Sequence, residues 1–212
     1  MNRGFDMAIS IRHGLLAVAA FLLAACTTNV SRDYRLDPQK AEGLVVGSIS
    51  YESGIGRFVL EAKGRGASKR YDMQFGCPVW PCMGSDNDAD FSRDQAPKQR
   101  GGGFAVAMPE GDYIIVGWRV EQGQMVSRST QAIGIPFRVE SGKALYLGNL
   151  HFDAHWEDVR LRDRADHDLP LLQARFPALA AAPVSSTITP GVSIELGGEH
   201  DRGLEGMFVP LR

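Results

Sequence analysis

The chain has 212 residues, 44% of them apolar, with 23 Lys and Arg against 25 Asp and Glu. With no basic excess to neutralise a phosphate backbone, nucleic acid is not an expected partner. The apolar content suits one domain with its own core, carrying a segment at each end.

The chain begins with a short basic stretch holding Arg3 and Arg12, followed from Gly14 by an apolar run of roughly a dozen residues that ends in Ala24-Ala25-Cys26. A membrane span needs about 20 apolar residues, so residues 1–25 read as an export signal. Leu23-Ala24-Ala25-Cys26 resembles the lipobox of bacterial lipoproteins. The resemblance implies cleavage before Cys26, acylation of that cysteine by a fatty acid such as palmitate, and a membrane held through the lipid. Thr27 is not the aspartate that retains enteric-type lipoproteins at the inner membrane, which places the expected anchor at the outer membrane, facing the periplasm. Residues 26–42 are polar and aperiodic and read as a flexible tether.

The expected fold spans residues 43–177. Leu44 to Tyr51 and Arg57 to Ala62 are strand-like and joined by turn chemistry at Glu52 to Gly56, which reads as a hairpin, and Lys69 to Phe75 alternates as a third strand. Cys77 and Cys82 follow in a proline-restricted loop. With Cys26 acylated they are an even pair in an oxidising compartment, and a disulfide staple is the expected state. Cys-x4-Cys is not the spacing of a thiol oxidoreductase. A cuprous site from Met73, Cys77, Cys82 and Met83 is the sharper alternative.

Residues 84–103 form the longest polar stretch inside the domain. Asp86, Asp88 and Asp90 start like a calcium loop, but Phe91 and Pro97 occupy the positions that need glycine and a bidentate glutamate. Gly101-Gly102-Gly103 leads into a strand rather than a helix and reads as a hinge instead of a phosphate cradle.

Met108 to Val120, Ile133 to Val139 and Lys143 to Leu150 then form a meander of short antiparallel strands. The turn Pro109-Glu110-Gly111-Asp112-Tyr113, followed by Pro136-Phe137 and Gly142-Lys143 with Tyr146 and Gly148, resembles the prealbumin-like β-sandwich of several uncharacterised bacterial lipoprotein families over roughly residues 105–177. The expected class is therefore mainly β, an antiparallel sandwich of prealbumin or immunoglobulin type. The resemblance implies no catalytic residues and no cofactor.

His151, Asp153 and His155 are the candidate metal ligands. On a continued strand they share a face. At about 3.3 Å per residue, however, the two histidines stand about 13 Å apart, too far for one zinc. Asp166 is the expected N-cap of one short helix near 166–176, with Leu169, Leu172 and Phe176 at helical spacing and Pro170 in its first turn. Residues 178–212 group too few apolar side chains for a second core and read as an extended tail, its Met207 to Leu211 end apolar enough to dock.

No nucleophile elbow, zincin motif, phosphate loop or Ser-x-x-Lys occurs after Cys26. The expected function is a non-enzymatic binding or scaffold module of the cell envelope, with an envelope protein as the partner class. A metal-dependent protein using His151, Asp153 and His155 is one alternative. A glycan binder stacking sugars on Trp80, Trp118 or Trp156 is the other.

Overall fold

The computed structural model describes residues 29–66, 69–76, 89–90 and 100–204. In chain order the strands are β1 (Glu42–Tyr51), β2 (Arg57–Gly64), β3 (Arg70–Gly76), β4 (Ala89–Asp90), β5 (Arg100–Pro109), β6 (Gly111–Gln122) and β7 (Met125–Ser129). There follow β8 (Ile135–Val139), β9 (Ala144–Phe152), β10 (Val159–Arg162), the helix α1 (Ala165–Arg175), β11 (Val184–Ser186), β12 (Ser193–Glu195) and β13 (His200–Leu204).

Sheet A runs β12-β10-β9-β1-β5-β4, with β11 beside the first half of β9. Sheet B runs β13-β7-β6-β2-β3, with β8 beside the first half of β6. The molecule is mainly β, and its two sheets close on one core. Val45, Ile49, Leu147 and Leu150 from sheet A meet Phe58, Leu60, Met73, Ile115 and Trp118 from sheet B, all buried. Alternation puts Val45 and Ile49, and Phe58 and Leu60, on one face of their strands, while a one-residue bulge in β9 and another in β6 bring Leu147 with Leu150 and Ile115 with Trp118 onto the same apolar face.

The pairing is not wholly antiparallel as expected. β1 lies parallel to β9, and β11 parallel to β9. Between β1 and β9 the chain builds most of sheet B, and so long an excursion can return in either direction, whereas a two-residue turn cannot.

Both end segments depart from the expected tether and tail. Asn29 and Val30 are buried at the start of the described chain, and Tyr34 and Leu36 pack on the outer face of sheet A. Beyond residue 178 the chain adds β11 and β12 to sheet A and β13 to sheet B, and Leu179, Ile188 and Leu196 are buried. Edge strands are held by backbone pairing, which needs no run of apolar residues, so three well-spaced apolar side chains suffice where no periodic pattern is visible. Met207 to Leu211 lie outside the described residues.

The helix sits within one residue of its expected place, with a different cap. The Ala165 N–H donates to Asp163 Oδ1 at 3.1 Å, so Asp163 rather than Asp166 receives the entering chain. Pro170 falls in the second turn, leaving the Asp166 carbonyl without its intrahelical donor. Leu172 and Phe176 pack on Leu44, Val46, Ala144 and Tyr146, forming a third layer outside sheet A.

A bulge shapes the middle of sheet A. Val46 pairs with Tyr146 and Ser48 with Asn149, so β9 carries one residue more than β1 between these rungs. Gly148 absorbs it at φ +110°, and a Cβ there would lie 2.4 Å from Ile188 Cδ1 and 2.9 Å from the Arg162 carbonyl. Gly148→Ala is expected to destabilise the domain by about 2 kcal/mol or more, from backbone strain and displaced Ile188 together. A urea midpoint unchanged from wild type would show that the bulge relaxes freely.

Candidate functional site

The bulge divides the outer face of sheet A. One half is apolar and covered by α1. On the other half the outward positions are polar: Ser48 and Ser50 on β1, Asn149 and His151 on β9, Arg160 and Arg162 on β10. Without the extra residue, Tyr146 and Asn149 would face opposite sides of the sheet.

All of these but Arg160 belong to one hydrogen-bonded chain. Asp168, reaching in from α1 and fully buried, accepts from Ser48 Oγ at 2.5 Å and from the Tyr146 hydroxyl at 2.7 Å, and its other oxygen is 2.9 Å from His167 Nδ1. Desolvation and the adjacent carboxylate push the Tyr146 hydroxyl pKa far above its ordinary value. Asn149 Nδ2 donates to Ser48 Oγ at 2.7 Å, and Asn149 Oδ1 is 3.0 Å from Ser50 Oγ. Ser50 Oγ is 3.0 Å from His151 Nδ1, whose Nε2 faces Glu52 Oε1 at 3.7 Å.

Arg162 closes the cluster. Its Nη2 donates to Asn149 Oδ1 at 3.1 Å and approaches Ser50 Oγ at 3.4 Å, and its buried Nε has no partner. Among the described residues no carboxylate forms an ion pair with it, whereas neighbouring Arg160 pairs with Asp158 at 2.6 Å and Glu195 at 3.5 Å. Burial lowers the Arg162 pKa from its ordinary value, with Arg164 and Arg160 adding to the effect and Asp168 and Glu52 opposing it. Burial, with Arg162 beside it, likewise pulls the His151 imidazole down to about 4. At neutral pH the cluster therefore holds a neutral histidine beside a guanidinium that is incompletely compensated.

Ser50, His151 and Glu52 resemble a hydroxyl–imidazole–carboxylate relay in outline. Ser50 is fully buried, the Glu52 distance is too long for a hydrogen bond, and an imidazole titrating near 4 is a weak base for a serine at neutral pH. The arrangement presents donors, not a nucleophile.

The other expected site residues are not brought together. β9 ends at Phe152; Asp153 Oδ1 closes the following turn by accepting from the Asp158 N–H at 3.3 Å, and His155 sits at its exposed tip. His151 points instead into the polar cluster. Among the described residues no three His, Cys, Asp or Glu side chains group to hold a metal. Met73 is fully buried in the core between the sheets. Cys26, Cys77, Trp80, Cys82, Met83, Asp86 and Asp88 lie outside the described residues, and Asp90 is in β4 opposite Gly102.

Trp118 is 1% and Trp156 7% exposed, so neither offers a face to a sugar. Trp118 packs edge-on against Phe152 at 5.4 Å, and its Nε1 donates to the Gly197 carbonyl at 3.2 Å. Trp156 takes a positive φ of 61° with its Nε1 buried and unpartnered, the price of turning tightly after β9 while filling the core beside Phe58.

Gly101 to Gly103 are no hinge. They lie inside β5, paired with Ser50, Ile49 and Ser48, and a Cβ on Gly101 would stand 2.0 Å from the Ile49 carbonyl. A separate groove of about 370 Å³ is lined by Arg35, Leu36, Pro38, Ala178 and Ala182. Arg35 is the one charged group among these, so the groove has shape without converging polar chemistry.

Sequence reasoning missed Ser48, Ser50, Asn149, Arg162 and Asp168. Ser48 and Ser50 alternate along β1, with Glu52 continuing the pattern just past its end, which signals a polar face. Its burial depends on α1 and the bulge, which local pattern does not encode.

No protein-family model matches the chain, and no curated protein matches it. Among solved structures it is similar to a leucine-rich repeat protein from Bacteroides thetaiotaomicron VPI-5482, at 16% identity over 55% of this chain and 15% of that one, with a TM-score of 0.30.

Proposed function

We propose that the chain is a lipid-anchored lipoprotein of the outer membrane, facing the periplasm, that acts as a non-enzymatic binding module. Its recognition surface is the partly exposed pair Arg160 and Arg162 at the rim of the buried polar cluster on sheet A, and its ligand carries an anionic group, a carboxylate or a phosphate. The export segment and Leu23-Ala24-Ala25-Cys26 support the anchor. The binding reading is carried by Arg162, a half-buried guanidinium whose bonds go to neutral oxygens and whose Nε has no partner. A cation drawn into protein without a counter-ion is costly, and an anionic ligand relieves that cost.

Strand order bears on the finer fold. Immunoglobulin sandwiches keep their first two strands in one sheet, whereas β1 and β2 lie in different sheets here. That supports the prealbumin-like reading of the sandwich over the immunoglobulin-like one.

Calorimetric titration of the unlipidated Cys26→Ser protein with inorganic phosphate and with acetate tests the site. Saturable binding is expected for at least one of them. Arg162→Met should weaken it by about tenfold or more, the loss of one charge-assisted bidentate contact. If neither anion binds, or if Arg162→Met binds as wild type does, the recognition face is wrongly assigned.

A further inference from the structure

We infer that the domain is held directly against the bilayer, with the β5–β4 edge of sheet A and residues 31–35 as its lipid-facing surface. The inference rests on the anchor reading above and goes beyond it, because a lipoprotein can equally hang from a long free tether. The difference lies in where the packed chain begins. Ala105 N–H donates to Asn29 Oδ1 at 2.9 Å, and Val30 N–H donates to the Ala105 carbonyl at 2.8 Å. Both backbone groups of a strand residue point to the same edge. Asn29 and Val30 therefore close sheet A on the side of β5 away from β1. They are only 6% and 9% exposed, and Val30 is part of the apolar layer with Val46, Ala105 and Phe176.

Two residues, Thr27 and Thr28, separate Cys26 from Asn29. Three Cα steps of about 3.8 Å reach no further than about 11 Å. A domain of this size has a radius of gyration of about 16 Å, so the leash is shorter than the body it holds and cannot let the domain swing clear of the headgroups. Arg32 and Arg35 are exposed at the start of this segment, placed to meet lipid phosphates. Asp33 and Asp37 balance them in charge, so the contact is set by leash length and should survive added salt.

Full-length lipidated protein in phosphatidylethanolamine and phosphatidylglycerol nanodiscs, doped with a lipid bearing a nitroxide headgroup, tests this by paramagnetic broadening of amide signals. β12 is the opposite edge of sheet A, four strand spacings from β5, or about 19 Å. Broadening falls with the sixth power of distance, so residues 31–35 should broaden about tenfold or more beyond Ser193 to Glu195. Inserting twenty Gly/Ser residues between Thr28 and Asn29 should abolish the difference while the protein stays on the disc. Equal broadening at both edges in the disc-bound wild type overturns the inference and leaves the anchor standing. A protein that fails to stay on the disc overturns the anchor and this inference together.

Discussion

Arg119→Met is expected to destabilise the domain by about 3–5 kcal/mol, the largest loss from any single charge in the described sandwich. Arg119 lies on β6 on the outer face of sheet B, and its side chain is 12% exposed. Its Nη1 pairs with Glu61, its Nη2 with Asp72 at 2.6 Å and its Nε with Glu121 at 2.7 Å. One guanidinium thus serves three carboxylates from three adjacent strands, which only a planar group with five donors can do. Remaining cations replace it poorly. Arg57 still reaches Glu121, but Arg70 meets Glu61 only at 3.9 Å and is 66% exposed. Without Arg119 the half-buried acids repel one another across neighbouring rungs. Arg119→Lys keeps the charge and loses the fork, so its loss should be intermediate. Adding Glu61→Gln to Arg119→Met should recover part of the stability, a coupling that a double-mutant cycle in urea measures. A loss for Arg119→Met below about 1 kcal/mol would mean the network behaves as ordinary exposed pairs.

The contrast between Arg119 and Arg162 shows what the sequence carried. Both occupy alternating strand positions and look like solvated charges in the sequence. The strands themselves were legible, because Leu44 to Tyr51, Arg57 to Ala62 and Met108 to Val120 are β-branched or alternate and are bounded by glycine and proline turns, and each falls within an observed strand or overlaps one. The neighbours were not legible. Glu61, Asp72 and Glu121 are 58, 47 and 2 positions from Arg119 in sequence, and strand order alone joins them. Asp168 offers the same lesson on a helix. Within a charged run it reads as a solvated face, yet it is buried because α1 lies over Tyr146 and Ser48. The end segments escaped for a different reason: isolated apolar residues such as Val30, Ile188 and Leu196 carry no period, and only the packed sandwich supplies the gaps they fill.

Acidification from about pH 6.5 to pH 4 is expected to remove about 3 kcal/mol of stability through His151 alone. Its pKa falls from 6.5 in the unfolded chain to about 4 in the folded one. Between those values the unfolded chain binds a proton that the folded chain refuses. The stability is therefore complete above pH 6.5 and is lost as pH falls toward 4. Burial is the main cause and the guanidinium of Arg162 the next, while Asp158 and Asp153 oppose them and Glu52 stands too far away to hydrogen-bond. As pH falls through the usual carboxylate range a second loss begins, because, against the opposing effect of burial, Arg119 and Arg57 hold the Glu121 pKa below its ordinary value and protonating that acid releases the pair. His151→Gln keeps a hydrogen-bonding side chain beside Ser50 without a titrating group, so urea unfolding of this variant should be flat between pH 6.5 and 4.5 where wild type slopes. Equal slopes in the two proteins would mean that His151 is protonated in the fold. The same measurement bears on the recognition face. An anion seated on Arg162 offsets the charge that disfavours imidazolium, raises the folded His151 pKa and flattens the slope. Wild type in saturating phosphate should then lose less stability on acidification than wild type without it.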